Sequence, residues 1–513
     1  MAWYTLYEHH LYDLGNALTH PGTAAILAFV LFALLVYTYF HNDSSSNLPP
    51  GPRPLFLFGN MRFFQQAATE RTKMHNALND IRPEYGDIVH LNLNGNAWIF
   101  LQGADAIREG LVKHPEISRN RPTWFRGIIK QNGKELAWIN GKEWKCCRRK
   151  VIQSFRYLGV EKSPMENNVL EEVDLAVPYL KDTKRQPTDL WRMSMTIALN
   201  IMHSFVFGKR LEGTSANFEL LINAAHEIIT TGEVVSPMIN LPKWLQKIIC
   251  KDIFLHHEKK KCAYDVIHKY TNDRIKERHE NFNSNLIRDY ADVHLNLKSE
   301  TPSRDNYQVN SSFELMTTIF ATGVVSISNA LMWTILYMQE YPDVQNKCRD
   351  VLNEICGHSN VYWSDRKNVP YIEAVIMEIN RLSSNVPFTV SHTSEKETTL
   401  LGFTIPKKSV IRANLYSAHM DPRYWEEPHV FNPDRFLKDE KLIRNPAYMP
   451  FGIGPRKCVA HRMSELIQFV TFSNLVRRVS FEREDPNETH TFQLVYEQVT
   501  SRPIPFKTIS TVL

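Results

Sequence analysis

The stretch F-G-I-G-P-R-K-C-V-A, Phe451 to Ala460, decides how the rest of the chain is read. Two glycines, a proline and an arginine crowd in front of a single cysteine. Behind it, V-A-H-R-M-S-E-L-I-Q-F-V-T-F-S-N-L-V-R-R has amphipathic helical spacing. A buried structural thiol needs none of this scaffolding, whereas a thiolate gains from the exposed N–H groups and dipole at a helix amino terminus. Gly452 and Gly454 let the backbone approach a flat ligand closely, and Arg456 adds a cation just before the sulfur. Zinc requires about four protein ligands or an open three-ligand site, and His461 is the nearby candidate. A thiolate-bound haem requires a single protein ligand.

With 513 residues and 43% apolar content the chain buries a large core, by length two to four domains or one large fold. The net charge of +5 is mild and dispersed, and no nucleic-acid-binding motif accompanies it. Seven cysteines at irregular spacing, with no C-x-x-C pair, read as reduced thiols on the cytosolic side. From Gly22 to Phe40 the chain runs 19 residues without a charge, enough to cross a bilayer. The first twenty residues lack Lys and Arg, while Arg53, Arg62, Arg71 and Lys73 follow the run. The positive-inside bias therefore places the bulk of the chain in the cytosol. A cleaved signal peptide fits less well, since its positively charged amino-terminal flank is missing. The expected organisation is a short luminal segment (1–21), a transmembrane anchor (22–40), a polar then Pro-rich hinge (41–54) and a catalytic domain (55–513).

Asp87 to Leu101 alternates on both sides of Asn94-Gly95, which signals a hairpin. Most of the remainder reads helical. The longest candidate follows Ser311-Ser312 and carries no charge between Glu314 and Glu340. Its central Thr317, Thr318, Thr322, Ser326, Ser328 and Asn329 suit a core helix beside a cavity better than a second membrane span. The expected class is thus mainly α with a small β-rich lobe.

The cysteine stretch resembles the haem-binding loop F-x-x-G-x-R-x-C-x-G of the cytochromes P-450, with Ala460 where glycine is usual. Glu378-Ile-Asn-Arg381 is similar to the family's E-x-x-R, and F-N-P-D-R-F, Phe431 to Phe436, to the segment whose arginine, here Arg435, joins that ion network. Trp144-Lys-Cys-Cys-Arg148 resembles W-x-x-x-R. The resemblance runs from Leu48 to the carboxy terminus and is strongest to the animal microsomal group containing vertebrate drug and steroid hydroxylases. It implies the P-450 fold behind a single transmembrane helix in the endoplasmic reticulum. It also implies haem b on Cys458, with Phe451, Gly323 and Arg456 around it and Trp144, Arg148 and His392 at the propionates. Electrons would come from NADPH through cytochrome P-450 reductase, with cytochrome b5 a further partner. The substrate would be a small apolar molecule facing Trp124, Phe125, Val325, Val386, Phe388, Val390 and Val499.

One departure matters for the chemistry. The family's oxygen-activating helix usually reads A/G-G-x-D/E-T-T, and the corresponding residues are Thr322-Gly323-Val324-Val325-Ser326-Ile327. Ser326 keeps the hydroxyl of a catalytic proton relay, while Val325 replaces the acid. The loss leaves open a reductase-independent isomerase or dehydratase of oxygenated lipids or oximes, or a haem protein that only binds ligands. Lys142, Lys145 and Arg149 form a basic stripe that, with Lys457, suits an acidic reductase.

Overall fold

The alternation around 94–95 becomes the hairpin it signals. In the computed structural model β1 (Ile88–Leu93) pairs antiparallel with β2 (Asn96–Gln102), Leu93 opposite Asn96 and Ile88 opposite Leu101. The structure describes residues 22–513 except 23–24, 27, 35–46, 56–58, 61, 64–73, 94–95, 123–135, 161–162, 214, 231–250, 301–309, 358, 491 and 498–499. The expected anchor falls in part, and Trp124, Phe125 and Val499 entirely, outside the described residues. Residues 28–34 are helical, with Phe29, Leu31 and Phe32 exposed.

Two more strands complete the small lobe. β3 (His392–Thr393) pairs antiparallel with β4 (Val410–Asn414), which lies parallel to β2, so the sheet order is β1-β2-β4-β3. The Pro-rich segment is laid along this lobe: Pro50 O accepts the His90 N–H at 2.9 Å, and Asn60 Nδ2 donates to Pro52 O at 2.7 Å.

Helices form the larger body, as the sequence pattern requires. α1 (Gly141–Tyr157), α2 (Ser163–Asp182), α3 (Trp191–Phe207), α4 (Asn310–Glu340), α5 (Pro370–Ser383), α6 (Leu415–His419) and α7 (His461–Arg478) carry or border the site. The 31-residue α4 is apolar enough to cross a membrane, yet 72% of its most apolar window is buried, so it is the central core helix. α3 packs along it. A Cβ added at Gly323 would meet Met202 Cε at 2.6 Å. Gly323 therefore serves the close approach of α3 to α4. The carboxy-terminal hairpin, Leu494–Glu497 with Thr500–Pro503, docks on α4: Trp333 Nε1 donates to Ser501 O at 2.9 Å and Asn329 Nδ2 to Thr500 Oγ1 at 3.1 Å. The described cysteines are free thiols.

On α5, Glu378 and Arg381 lie three apart and both have no solvent exposure. Arg381 grips the carboxylate with Nε at 2.7 Å and Nη2 at 2.8 Å, and Arg435 adds Nε at 3.0 Å. Removing one member of such a buried set leaves the others charged and uncompensated, which typically costs about 3–5 kcal/mol. Glu378→Gln should therefore lower the urea midpoint of the purified protein by the equivalent of about that much. An unchanged midpoint would show that the network does not hold the fold.

Candidate active site

The loop before Cys458 is shaped by two left-handed glycines, Gly452 at φ +68 and Gly454 at φ +75. Their constraints differ. A Cβ on Gly454 would sit 2.2 Å from Leu111 O, whereas one on Gly452 would meet nothing nearer than 4.0 Å. The turn closes where the Cys458 N–H donates to Phe451 O at 3.0 Å, and α7 begins at His461. Cys458 lies deep in the protein while its surface stays open, so it fronts an internal space. Burial raises its thiol pKa. The Ala460 N–H, Arg148 and Lys457 oppose that rise, as the helix-terminus reading requires.

A second group of side chains converges on the same loop. Arg456 donates to Arg119 O, Leu136 O, Ile139 O and Asn140 Oδ1, and its guanidinium lies 4.1 Å over the Trp144 ring. Arg148 Nη2 donates to Lys457 O at 2.7 Å. His392, fully enclosed on β3, donates from Nδ1 to Ser118 O at 2.9 Å, since a carbonyl can only accept. Burial, then Arg121 and Arg456, hold the His392 pKa well below its usual value.

Arg121 belongs to the same cluster and was missed by the sequence reading. It is buried, and Nη1 donates to Val390 O at 2.7 Å and Ser391 O at 3.0 Å. Its partners are far along the chain, so no local motif marks it. Arg148 and Arg456 spend their hydrogen bonds on neutral oxygens, and burial together with the neighbouring guanidinium groups lowers the pKa of Arg456. Positive charge so concentrated calls for an anionic ligand edge. A haem fits both halves of the site: Cys458 as the iron ligand, and Arg121, Arg148, Arg456 and Trp144 for its carboxylates, with His392 joining them when its Nε2 takes up the proton that an adjacent carboxylate favours.

The chain's similarities agree. The sequence model of the Cytochrome P450 family matches residues 49–508. The chain belongs to the cytochrome P450 family. It is 27% identical to cytochrome P450 2U1 of Bos taurus over 90% of this chain and 89% of that protein. It is 28% identical to P450 2J2 of Homo sapiens over 91% of each chain, and 27% to P450 2K1 of Oncorhynchus mykiss over 91% of this chain and 92% of that one. It is a P450 monooxygenase of the animal type these relatives represent.

On the P450 oxygen-activating helix, Ser326 is half-buried and its Oγ donates to Thr322 O at 2.8 Å, with Gly323 O at 3.3 Å. Asn385, also missed from sequence, donates from Nδ2 to Ser326 O at 3.0 Å and ties the loop after α5 to this turn. Val325 is 3% exposed and packs in the main core, three residues after Thr322 and so beside it on that helix face. Phe388, expected to face substrate, is instead enclosed by His75, Phe100 and Arg412 in the small-lobe core. Val386 and Val390 are half-buried, and Val390 packs against that same core.

The two glycines yield a graded test. Gly452→Ala faces only the left-handed backbone cost of about 1–2 kcal/mol, so its reduced carbon monoxide spectrum should stay that of a thiolate-ligated P450. Gly454→Ala collides with the backbone at Leu111 and should lose that spectrum. Equal behaviour of the two variants would contradict the loop geometry.

Proposed function

We propose that this P450 hydroxylates or epoxidises an apolar substrate at the endoplasmic reticulum membrane, using dioxygen and two electrons passed from NADPH by cytochrome P450 reductase. The observation that carries the proposal is the joining of an open-faced Cys458 to Arg148 and Arg456, whose bonds end on neutral oxygens. The overall balance is substrate C–H plus O2, NADPH and a proton giving the alcohol, water and NADP+. A bound haem supplies the redox iron at which dioxygen is reduced and split. The chain's own residues do the rest. Cys458 is poised as an anionic ligand by the Ala460 N–H and Arg148, and the arginine cluster with Trp144 and His392 orients the carboxylate edge. The core around α4 excludes bulk water. At Ser326 Oγ, the committed hydrogen leaves lone pairs for a water, so a proton passes inward when that bond to Thr322 O is exchanged.

Two surfaces support the partners in this reading. Phe29, Leu31 and Phe32 are exposed on the helical residues 28–34, the apolar face a lipid-embedded anchor presents. Lys142, Lys145 and Arg149 are exposed along α1, with Lys457 half-buried beside the thiolate. That stripe suits the acidic docking face of a reductase, and cytochrome b5 is a further candidate for it. The buried Val325 keeps a second reading in view, a reductase-independent isomerase or dehydratase.

NADPH and oxygen consumption with a microsomal reductase, across steroids, fatty acids and drug-like molecules, separates the two. Substrate-stimulated consumption with an oxygenated product is expected; turnover of lipid hydroperoxides without reductase, and nothing else, would favour the isomerase. Ser326→Ala should lower product formed per NADPH by roughly tenfold or more, the low end of a lost proton-transfer group. An unchanged yield would remove Ser326 from the relay. Reversing Lys142, Lys145 and Arg149 to glutamate should slow reductase-supported turnover most at low ionic strength; a salt-independent rate would place the docking face elsewhere.

A further inference from the structure

Thr322 is the single exposed residue between Leu315 and Glu340, at the middle of a helix otherwise enclosed by protein. Exposure at such a place means that the side chain faces an internal cavity. Half-buried Thr318, Ile319, Gly323 and Ser326 mark the same stripe, and Thr334 is half-buried about two turns further along. Thr318, Thr322 and Ser326 follow one another at i, i+4 spacing, so their hydroxyls stack along one face.

The hydrogen bonds fix what this stripe offers. A hydroxyl has one hydrogen and two lone pairs. Thr322 Oγ1 gives its hydrogen to Thr318 O at 2.6 Å, and Ser326 Oγ gives its own to Thr322 O at 2.8 Å. Both oxygens therefore present only lone pairs to the cavity. Beside them, Asn385 gives one amide hydrogen to Ser326 O, and its enclosed Oδ1 has no donor among the described residues. The helix itself offers acceptors along this stripe, flanked by the apolar side chains of half-buried Ile319 and buried Val325.

We propose that Thr322 is a specificity residue, and that it selects an apolar substrate carrying a hydrogen-bond donor, an aliphatic or alicyclic alcohol. This deepens the monooxygenase reading and rests on it. The substrate hydroxyl donates to Thr322 Oγ1, and the carbon skeleton lies along the apolar wall. Ser326 is one turn away, about 5–6 Å, so carbons a few bonds from the held hydroxyl come beside the oxygen-handling turn. A ketone or ether of the same skeleton can only accept, and it meets acceptor against acceptor.

The test is ligand binding to the full-length haem-loaded protein, followed by the absorbance change on adding ligand, with no turnover. Two matched pairs serve as probes: androstanol against androstanone, and dodecanol against its methyl ether. The alcohol of each pair that binds should bind about five- to tenfold tighter, the worth of one net hydrogen bond. Thr322→Val keeps the volume and removes the acceptor, so it should bring the ratio to about one; Thr322→Ser keeps the oxygen and should preserve most of it. Equal affinities in the unsubstituted protein, or a preference that survives Thr322→Val, overturn the inference and leave the monooxygenase reading intact. Failure of all four probes to bind overturns it together with the apolar-substrate reading. The carbon monoxide spectra of both variants should match the parent, which separates a changed pocket from a damaged fold.

Discussion

The carboxylate of Glu378 is the constraint on which the rest depends. It sits out of contact with water, and a buried charge is tolerated only when its neighbours replace the lost hydration. Arg381 supplies two donors, Arg435 a third, and the Asn432 N–H a fourth at 3.0 Å. Two cations against one anion leave surplus positive charge. Main-chain oxygens take it up: Arg381 Nη1 reaches His419 O and Pro428 O, and Arg435 Nη1 reaches Glu426 O. The Trp425 ring, 5.0 Å from the Arg381 guanidinium, closes the remaining side. One side chain thus fixes where α5, α6 and the 426–436 segment meet.

The same network reaches the thiolate loop through His419. Burial and the nearby Arg381 hold its pKa down to about 3, so the ring is neutral. Ser384 Oγ donates to Arg381 O and accepts from His419 Nδ1, while His419 Nε2 accepts the Met449 N–H at 3.1 Å. Met449 O in turn accepts the Gly452 N–H at 2.9 Å. A protonated imidazole could not receive the Met449 N–H, so the neutral state that burial enforces is the one the loop needs. The position of Cys458 is inherited, bond by bond, from the ion network on α5.

Legibility in the sequence followed the range of each signal. The hairpin at 88–102, the 31-residue α4 and the helix after Cys458 rest on local periodicity, and all are present. Glu378 with Arg381, and Trp144 with Arg148, were readable because one helical turn brings each pair together. Arg121, Asn385 and His419 were not, since each is defined by partners remote in the chain. Direction was the other failure. Phe388 turns into the small-lobe core among His75, Phe100 and Arg412, which its local sequence does not mark. The space beside Gly323 is taken by Met202, a residue remote in the chain.

These directions change what the unusual turn of α4 means. With valine at 325 buried in the main core, an acid there would need a charge-compensating partner in an apolar setting, and valine removes that demand. The polar function of the turn rests on its hydroxyls. Thr322 and Ser326 fix their hydrogens to the helix, and Asn385 fixes the carbonyl of Ser326 from across the loop. A carboxylate can hold and release protons; hydroxyls tied to carbonyls mainly accept hydrogen bonds. The turn has thereby exchanged a proton reservoir for an ordered row of acceptors. Whatever proton reaches the reacting oxygen must be brought by a molecule that those acceptors hold, and both water and a substrate hydroxyl have the required donor.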